Sequence, residues 1–145
     1  MTRTALALCL ALAACDKGPA LPDSRLTPGS AASTSTAEIC APGYVRDHRP
    51  DALVAHLLKE AAMRNYGKSR ASVFYEADHL IPICLGGEAL SVANIWPQPW
   101  GEASIKDRIE AAACRYVCTQ SERVADRELA RLQHAFATDW RTVKW

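Results

Sequence analysis

Between Tyr75 and Pro82 the chain reads Tyr-Glu-Ala-Asp-His-Leu-Ile-Pro, and Gly86-Gly87, Asn94-Ile95-Trp96-Pro97-Gln98 and Lys106-Asp107-Arg108 follow in order. These residue types suit proton transfer beside a cation. Histidine titrates ordinarily near about 6.5, so His79 can accept a proton at neutral pH. Asp78, its neighbour, is a hard oxygen donor of the kind Mg²⁺ or Mn²⁺ prefers. Hydrolysis of a phosphodiester needs both functions, a base to activate water and a cation to stabilise the charge on the phosphorane and leaving oxygen.

Such groups work only where secondary structure brings them together. Val73–Leu85 is rich in aromatic and β-branched residues and Gly86-Gly87 turns it back, which predicts a strand and a reversal. Asn94-Ile95-Trp96 predicts a short second strand ended by Pro97 and Pro99, and Glu102–Cys118 has helical spacing through Ile105, Ile109, Ala112, Ala113 and Tyr116. Upstream, Ile39–Pro50 reads as a loop. Pro50-Asp51 opens a helix through Tyr66, with Val54, Leu57, Leu58, Ala61 and Ala62 as an apolar stripe and Gly67 as its stop. His56, beside that stripe, reads as a partly buried structural residue rather than a ligand. A last helix, Glu122 to Trp140, aligns Ala125, Leu129, Leu132, Phe136 and Trp140 on one face. The order helix, strand, strand, helix, helix is that of an α+β domain.

The four polar blocks, in this order, resemble the HNH or His-Me finger endonucleases, and more closely a group of small bacterial proteins with the pattern DHLIPLxLGG…NLWPQ…KDxLE. The resemblance runs from about Tyr44 to Trp140. It implies a ββα-metal core with flanking helices, where two strands and a helix converge on one Mg²⁺ or Mn²⁺, and hydrolysis of DNA or RNA. It implies His79 as general base, Asn94 as the residue that holds the reversal and orients the base, and Asp78 as a metal ligand. The family's helical histidine has no counterpart here, since no histidine lies between His79 and His134; Asp107 is the substitute expected on the helix. Arg108, Lys106, Lys68 and Arg70 are expected to contact nucleic acid, and Glu76 is a candidate second carboxylate.

Each assignment has a structural counterpart. Asp78 could pair with Arg108 or Lys106, and His79 could be a satisfied core histidine. Ser104-Ile105-Lys106-Asp107 is also a capping-box pattern in which the carboxylate serves a helix start. Trp96 and Trp100 could stack on bases, although tryptophans beside prolines more often plug a core. Neighbours in a regular strand point oppositely, so Asp78 and His79 share a site only if the strand twists or bulges. The rival to an enzyme is an envelope binding or structural module that keeps the fold without the chemistry.

The chain has 145 residues with 17 Lys+Arg against 16 Asp+Glu, a formal charge of +1. That balance excludes a polybasic protein and leaves nucleic-acid binding to a local patch. Ala5–Ala14 is the only sustained apolar run, too short to span a membrane. With Arg3 before it and Leu12-Ala13-Ala14-Cys15 at its end, it resembles a bacterial lipoprotein signal. The expectation is a leader over 1–14, a lipid on Cys15, and a monomeric domain on the periplasmic side of a membrane, with Asp16 leaning toward the inner one. Residues 15–38 hold twelve Pro, Gly, Ser or Thr and no aromatic from Asp16 on, the composition of a flexible tether on the order of 25 Å long, leaving 39–145 as the folded domain. Cys40, Cys84, Cys114 and Cys118 suggest two disulfides in an exported protein. Three pairings are open, but Cys114 and Cys118 share a helical face, so each is expected to pin that helix elsewhere. Close CxxC pairs, which would suggest zinc, are absent.

Overall fold

The computed structural model describes residues 20–120 and 124–145. The leader, Cys9, Cys15, Asp16 and the Glu122 helix start all lie outside them. The domain is mixed helix and strand, with two short antiparallel strands at its centre, β1 (Tyr75–His79) and β2 (Ile95–Pro99). Short helices α1 (Thr36–Ile39) and α2 (Tyr44–His48) and the longer α3 (Ala52–Asn65) precede them; α4 (Trp100–Thr119) and α5 (Asp126–Asp139) follow.

The expected first strand is cut at both ends. Ser69–Phe74 and Ile83–Leu85 are 3-10 turns, leaving five extended residues. The second strand is longer than expected, because it continues through Pro97 and Pro99. Leu80 N–H bonds the Asn94 carbonyl at 2.8 Å, so in the continuous register Asp78↔Trp96 and Glu76↔Gln98 are the hydrogen-bonded pairs. Both prolines therefore fall opposite residues where the strand has no N–H to give, and neither interrupts the ladder.

Asp51 caps α3 by accepting from Val54 N–H at 2.8 Å. Only Ala62 and Met63 of this helix are buried, and Leu57 of the expected stripe is 53 % exposed. Two strands are too narrow to cover the whole stripe. His56 is likewise exposed, beside Glu60, rather than half-buried. By contrast Leu129, Leu132 and Phe136 of α5 and Trp140 in the 3-10 turn after it are all fully buried and join Leu80, Leu85, Trp96, Ala113 and Val117 in one core, whereas Ala125, which precedes the helix, is exposed.

The segment expected to be a tether is, from Ala20 on, part of the domain. Gly29 N–H bonds the Ala93 carbonyl, Ala32 N–H the Gly86 carbonyl, and Glu88 N–H the Ser30 carbonyl, each within 2.9 Å. Thr27 is buried against Tyr66, whose hydroxyl lies 2.9 Å from Oγ1. This stretch is fixed by backbone pairing to the loop between the strands rather than by apolar burial, which is why its composition is misleading. Gly86 and Gly87 permit that approach: a Cβ on Gly86 would strike the Ser33 carbonyl, and one on Gly87 the Ile81 carbonyl.

Two disulfides hold α4, Cys40–Cys118 and Cys84–Cys114. Each cysteine of the i,i+4 pair is tied to a different segment, as expected. Among the described residues no helix is long and apolar enough to cross a membrane. The bridges close sequence separations of 78 and 30 residues. Loop-closure entropy then gives about 4.5 kcal/mol for Cys40–Cys118 and about 3.6 kcal/mol for Cys84–Cys114. Urea unfolding of the two Cys→Ala double variants is expected to show both destabilised, Cys40→Ala/Cys118→Ala the more.

Candidate functional site

A cleft of about 160 Å³ opens where the end of β1, the turn after it, α2 and α4 meet; Arg49, Glu76, Asp78, His79, Cys84 and Glu110 are among its lining residues. Larger grooves lie elsewhere, one of about 380 Å³ beside α3, but they contain neither Asp78 nor His79. The register of β1 runs without a bulge, yet the consecutive residues Glu76, Ala77, Asp78 and His79 all line this cleft.

The loop between the strands is held by Asn94. Its side chain is fully buried; Oδ1 accepts from Ile81 N–H at 2.9 Å and Ser30 N–H at 3.4 Å, and Nδ2 donates to the Ile81 and Glu88 carbonyls at 2.9 and 3.0 Å. One amide thus joins both arms of the reversal, as expected of it, and the N-terminal segment as well. The same loop presents the Ala89 carbonyl 3.0 Å from His79 Nε2. A carbonyl only accepts, so Nε2 carries the proton and Nδ1 is left with the lone pair. Burial holds the His79 pKa below its ordinary value, with the Ala89 bond and Asp78 opposing it in part. At neutral pH the ring is a neutral base.

Asp78 is almost fully buried and both its oxygens are engaged. Trp96 Nε1 donates to Oδ2 at 2.6 Å, and Lys106 Nζ lies 2.8 Å from Oδ2 and 3.1 Å from Oδ1. Lys106 also donates to the His79 carbonyl at 2.8 Å and pairs with Glu110. On α4 the inward face is Ala103, Lys106, Glu110, Ala113 and Val117, spaced three and four apart. Asp107 and Arg108, one and two positions past Lys106, fall on the exposed side. The helical carboxylate in the cleft is therefore Glu110, not Asp107. Its signal in the sequence was the i,i+4 spacing from Lys106 and the final Glu of the KDxLE pattern. Because α4 begins at Trp100, with Pro99 at its N-cap position, Asp107 does not serve a helix start either.

The other expected contacts are dispersed. Lys68 donates to the Tyr75 hydroxyl at 3.0 Å and lies over that ring, and neither it nor Arg70 lines the cleft. Trp96 is a core residue, whereas Trp100 is 53 % exposed beneath the Lys59 ammonium. Arg49, on the exposed rim, is the cation at the mouth of the cleft that its basic neighbourhood in sequence did not single out.

The cleft is short of positive charge. Burial, then the nearby Asp78 and Asp107 carboxylates, raise Glu76 to about 7, against partial relief from Lys106 and Lys59. Glu110 is raised for the same reason, burial first, with Lys106 opposing. Burial pushes Lys106 toward losing its proton, but Asp78 and Glu110 outweigh it and hold the ammonium. A divalent cation at Asp78 does not fit this arrangement: the oxygens are committed to Lys106 and Trp96, and the expected partner Asp107 lies on the exposed side of α4, outside the cleft lining. Among the described residues no three of His, Cys, Asp or Glu converge as a metal cradle.

Asn94→Ala would leave three backbone groups of the loop and the Ser30 N–H without this partner, and equilibrium unfolding is expected to show a loss of about 3 kcal/mol or more. Glu76 keeps in the folded state a proton that the unfolded chain loses near 4.5, so its contribution to stability falls as pH rises from about 4.5 to about 7. Glu76→Gln is expected to raise the melting temperature at mildly alkaline pH by on the order of 3 °C and to leave it unchanged below the lower limit; an equal shift at both would remove the titration as its cause. No protein-family model, no curated protein and no solved structure matches this chain.

Proposed function

We propose that the cleft hydrolyses phosphodiester bonds of DNA or RNA, with His79 as general base. The observation that carries this reading is the His79 ring itself, anchored through Nε2 on the Ala89 carbonyl at the edge of an open cleft. That anchor fixes the tautomer in which Nδ1 takes a proton from water. Arg49 at the rim is placed to take a non-bridging phosphate oxygen, and a guanidinium does so in bidentate fashion. Glu76, carrying a proton near neutrality, is a donor toward a second oxygen. Asn94 is a positioning residue that acts through the loop. The strand, strand, helix order of β1, β2 and α4 suits a His-Me finger reading, and the Mg²⁺ expected from it enters none of these steps.

Two disulfides suit an oxidising compartment, and the reading is of an exported enzyme that acts on nucleic acid outside the cytoplasm. We propose lipid attachment at Cys15 as its anchor. Since the chain is bound to the domain from Ala20, the five intervening steps could hold it no more than about 18 Å from the lipid, closer than a long tether would.

A second reading, a non-catalytic envelope module, is favoured by one observation: Lys106 uses all three of its donors within the protein, which leaves none for a phosphate. Digestion of plasmid and RNA by the disulfide-bonded protein separates the two. Under the first reading His79→Ala lowers the rate by roughly 10²–10⁴-fold, and the wild-type rate climbs with pH to a plateau whose midpoint lies below 6.5. Undiminished cleavage by His79→Ala would remove the base, and a wild type inert with and without divalent cations would leave the module.

A further inference from the structure

The Lys106 side chain is 0 % exposed. An ammonium has three N–H donors, and here they meet the Asp78 carboxylate, the His79 carbonyl at 2.8 Å and the Glu110 carboxylate. The Phe136 ring, centred 5.7 Å away, covers another side. Two carboxylates and a backbone carbonyl around one point are the donor chemistry of a hard divalent cation. In this chain the point is filled by the protein's own nitrogen.

We infer that the Lys106 ammonium is the resident cation of this site, that it keeps divalent metal from Asp78, and that the oxygen cradle of Asp78, Glu110 and the His79 carbonyl becomes a divalent-cation site once the ammonium is removed. A metal ion that entered the wild-type cradle would have to break three hydrogen bonds and leave a buried charge unpaired, a penalty that a buried ion pair imposes whenever one partner is lost. Truncation of the side chain reverses this balance. The cradle would then hold two buried carboxylates with no counter-charge, and an added cation would relieve them. The inference does not depend on whether the cleft is catalytic, and its readouts are binding and stability, so its failure and that of the nuclease reading are separate.

Mn²⁺ provides the test, being paramagnetic and of the same ligand preference as Mg²⁺. In the disulfide-bonded wild type, millimolar Mn²⁺ is expected to broaden the NMR signals of the His79 ring no more than those of the exposed His134 ring, and to leave the melting temperature unchanged. Lys106→Ala is expected to melt lower than wild type without metal and to regain roughly 5 °C in millimolar Mn²⁺. Lys106→Ala/Asp78→Asn is expected to regain none. Selective broadening of His79 in the wild type would overturn the inference without any variant, which keeps the test decisive even if Lys106→Ala fails to fold. A folded Lys106→Ala that Mn²⁺ does not stabilise would overturn it as well.

Discussion

A buried ammonium persists only where its three donors all find acceptors and carboxylates offset the loss of water, and Lys106 meets that condition by joining α4 to β1. The join sets the rotation of the helix. With Lys106 turned inward, Ala103, Ala113 and Val117 must pack on the core, Glu110 must enter the cleft, and Asp107 and Arg108 must face out. Cys114 and Cys118 lie farther along the same helix and carry both disulfides. One helix is thus held at successive turns by an ion pair, a bridge to the cleft wall and a bridge to α1, which leaves it little freedom to slide or roll.

The second organising element is the loop between the strands. Asn94 ties Ile81, Glu88 and Ser30 together, and the two glycines let the N-terminal segment lie directly on that loop. The consequence reaches His79, because the loop decides where the Ala89 carbonyl sits and that carbonyl decides which ring nitrogen carries the proton. A side chain that does not touch the ring therefore acts on the tautomer of His79. The charge of the cleft follows from both elements. Three carboxylates face one interior ammonium, and burial leaves Glu76, which Lys106 does not bond, holding its proton at pH values where exposed carboxylates are ionised.

Much of this frame was legible in residue order. The apolar spacing of Leu129, Leu132, Phe136 and Trp140 predicted a buried face, and the i,i+4 cysteines predicted that α4 would be pinned to separate segments. Asn94 was placed correctly as the clasp of the reversal. The failures share a cause. Composition marked Ala20–Glu38 as a tether, but backbone hydrogen bonds to a distant loop do not depend on apolar content. Prolines read as the end of β2, because only the register shows that Pro97 and Pro99 fall where no N–H is required. Leu57 was assigned to a covered stripe because periodicity reveals a face without revealing the width of what covers it.

The sequence by itself determined which chemical groups are present and, through local periodicity and the Asp-His, Gly-Gly and Asn blocks, that a strand, a reversal, a second strand and a helix would carry them. Tertiary structure alone decided which group meets which: that Asp78 faces Lys106 rather than a vacant cradle, that Glu110 instead of Asp107 enters the cleft, and that His79 rests on Ala89. Local propensity depends on neighbours a few residues apart, whereas the rotation of α4 about its axis is fixed by burial, an ion pair and two disulfides that join residues far apart in the chain.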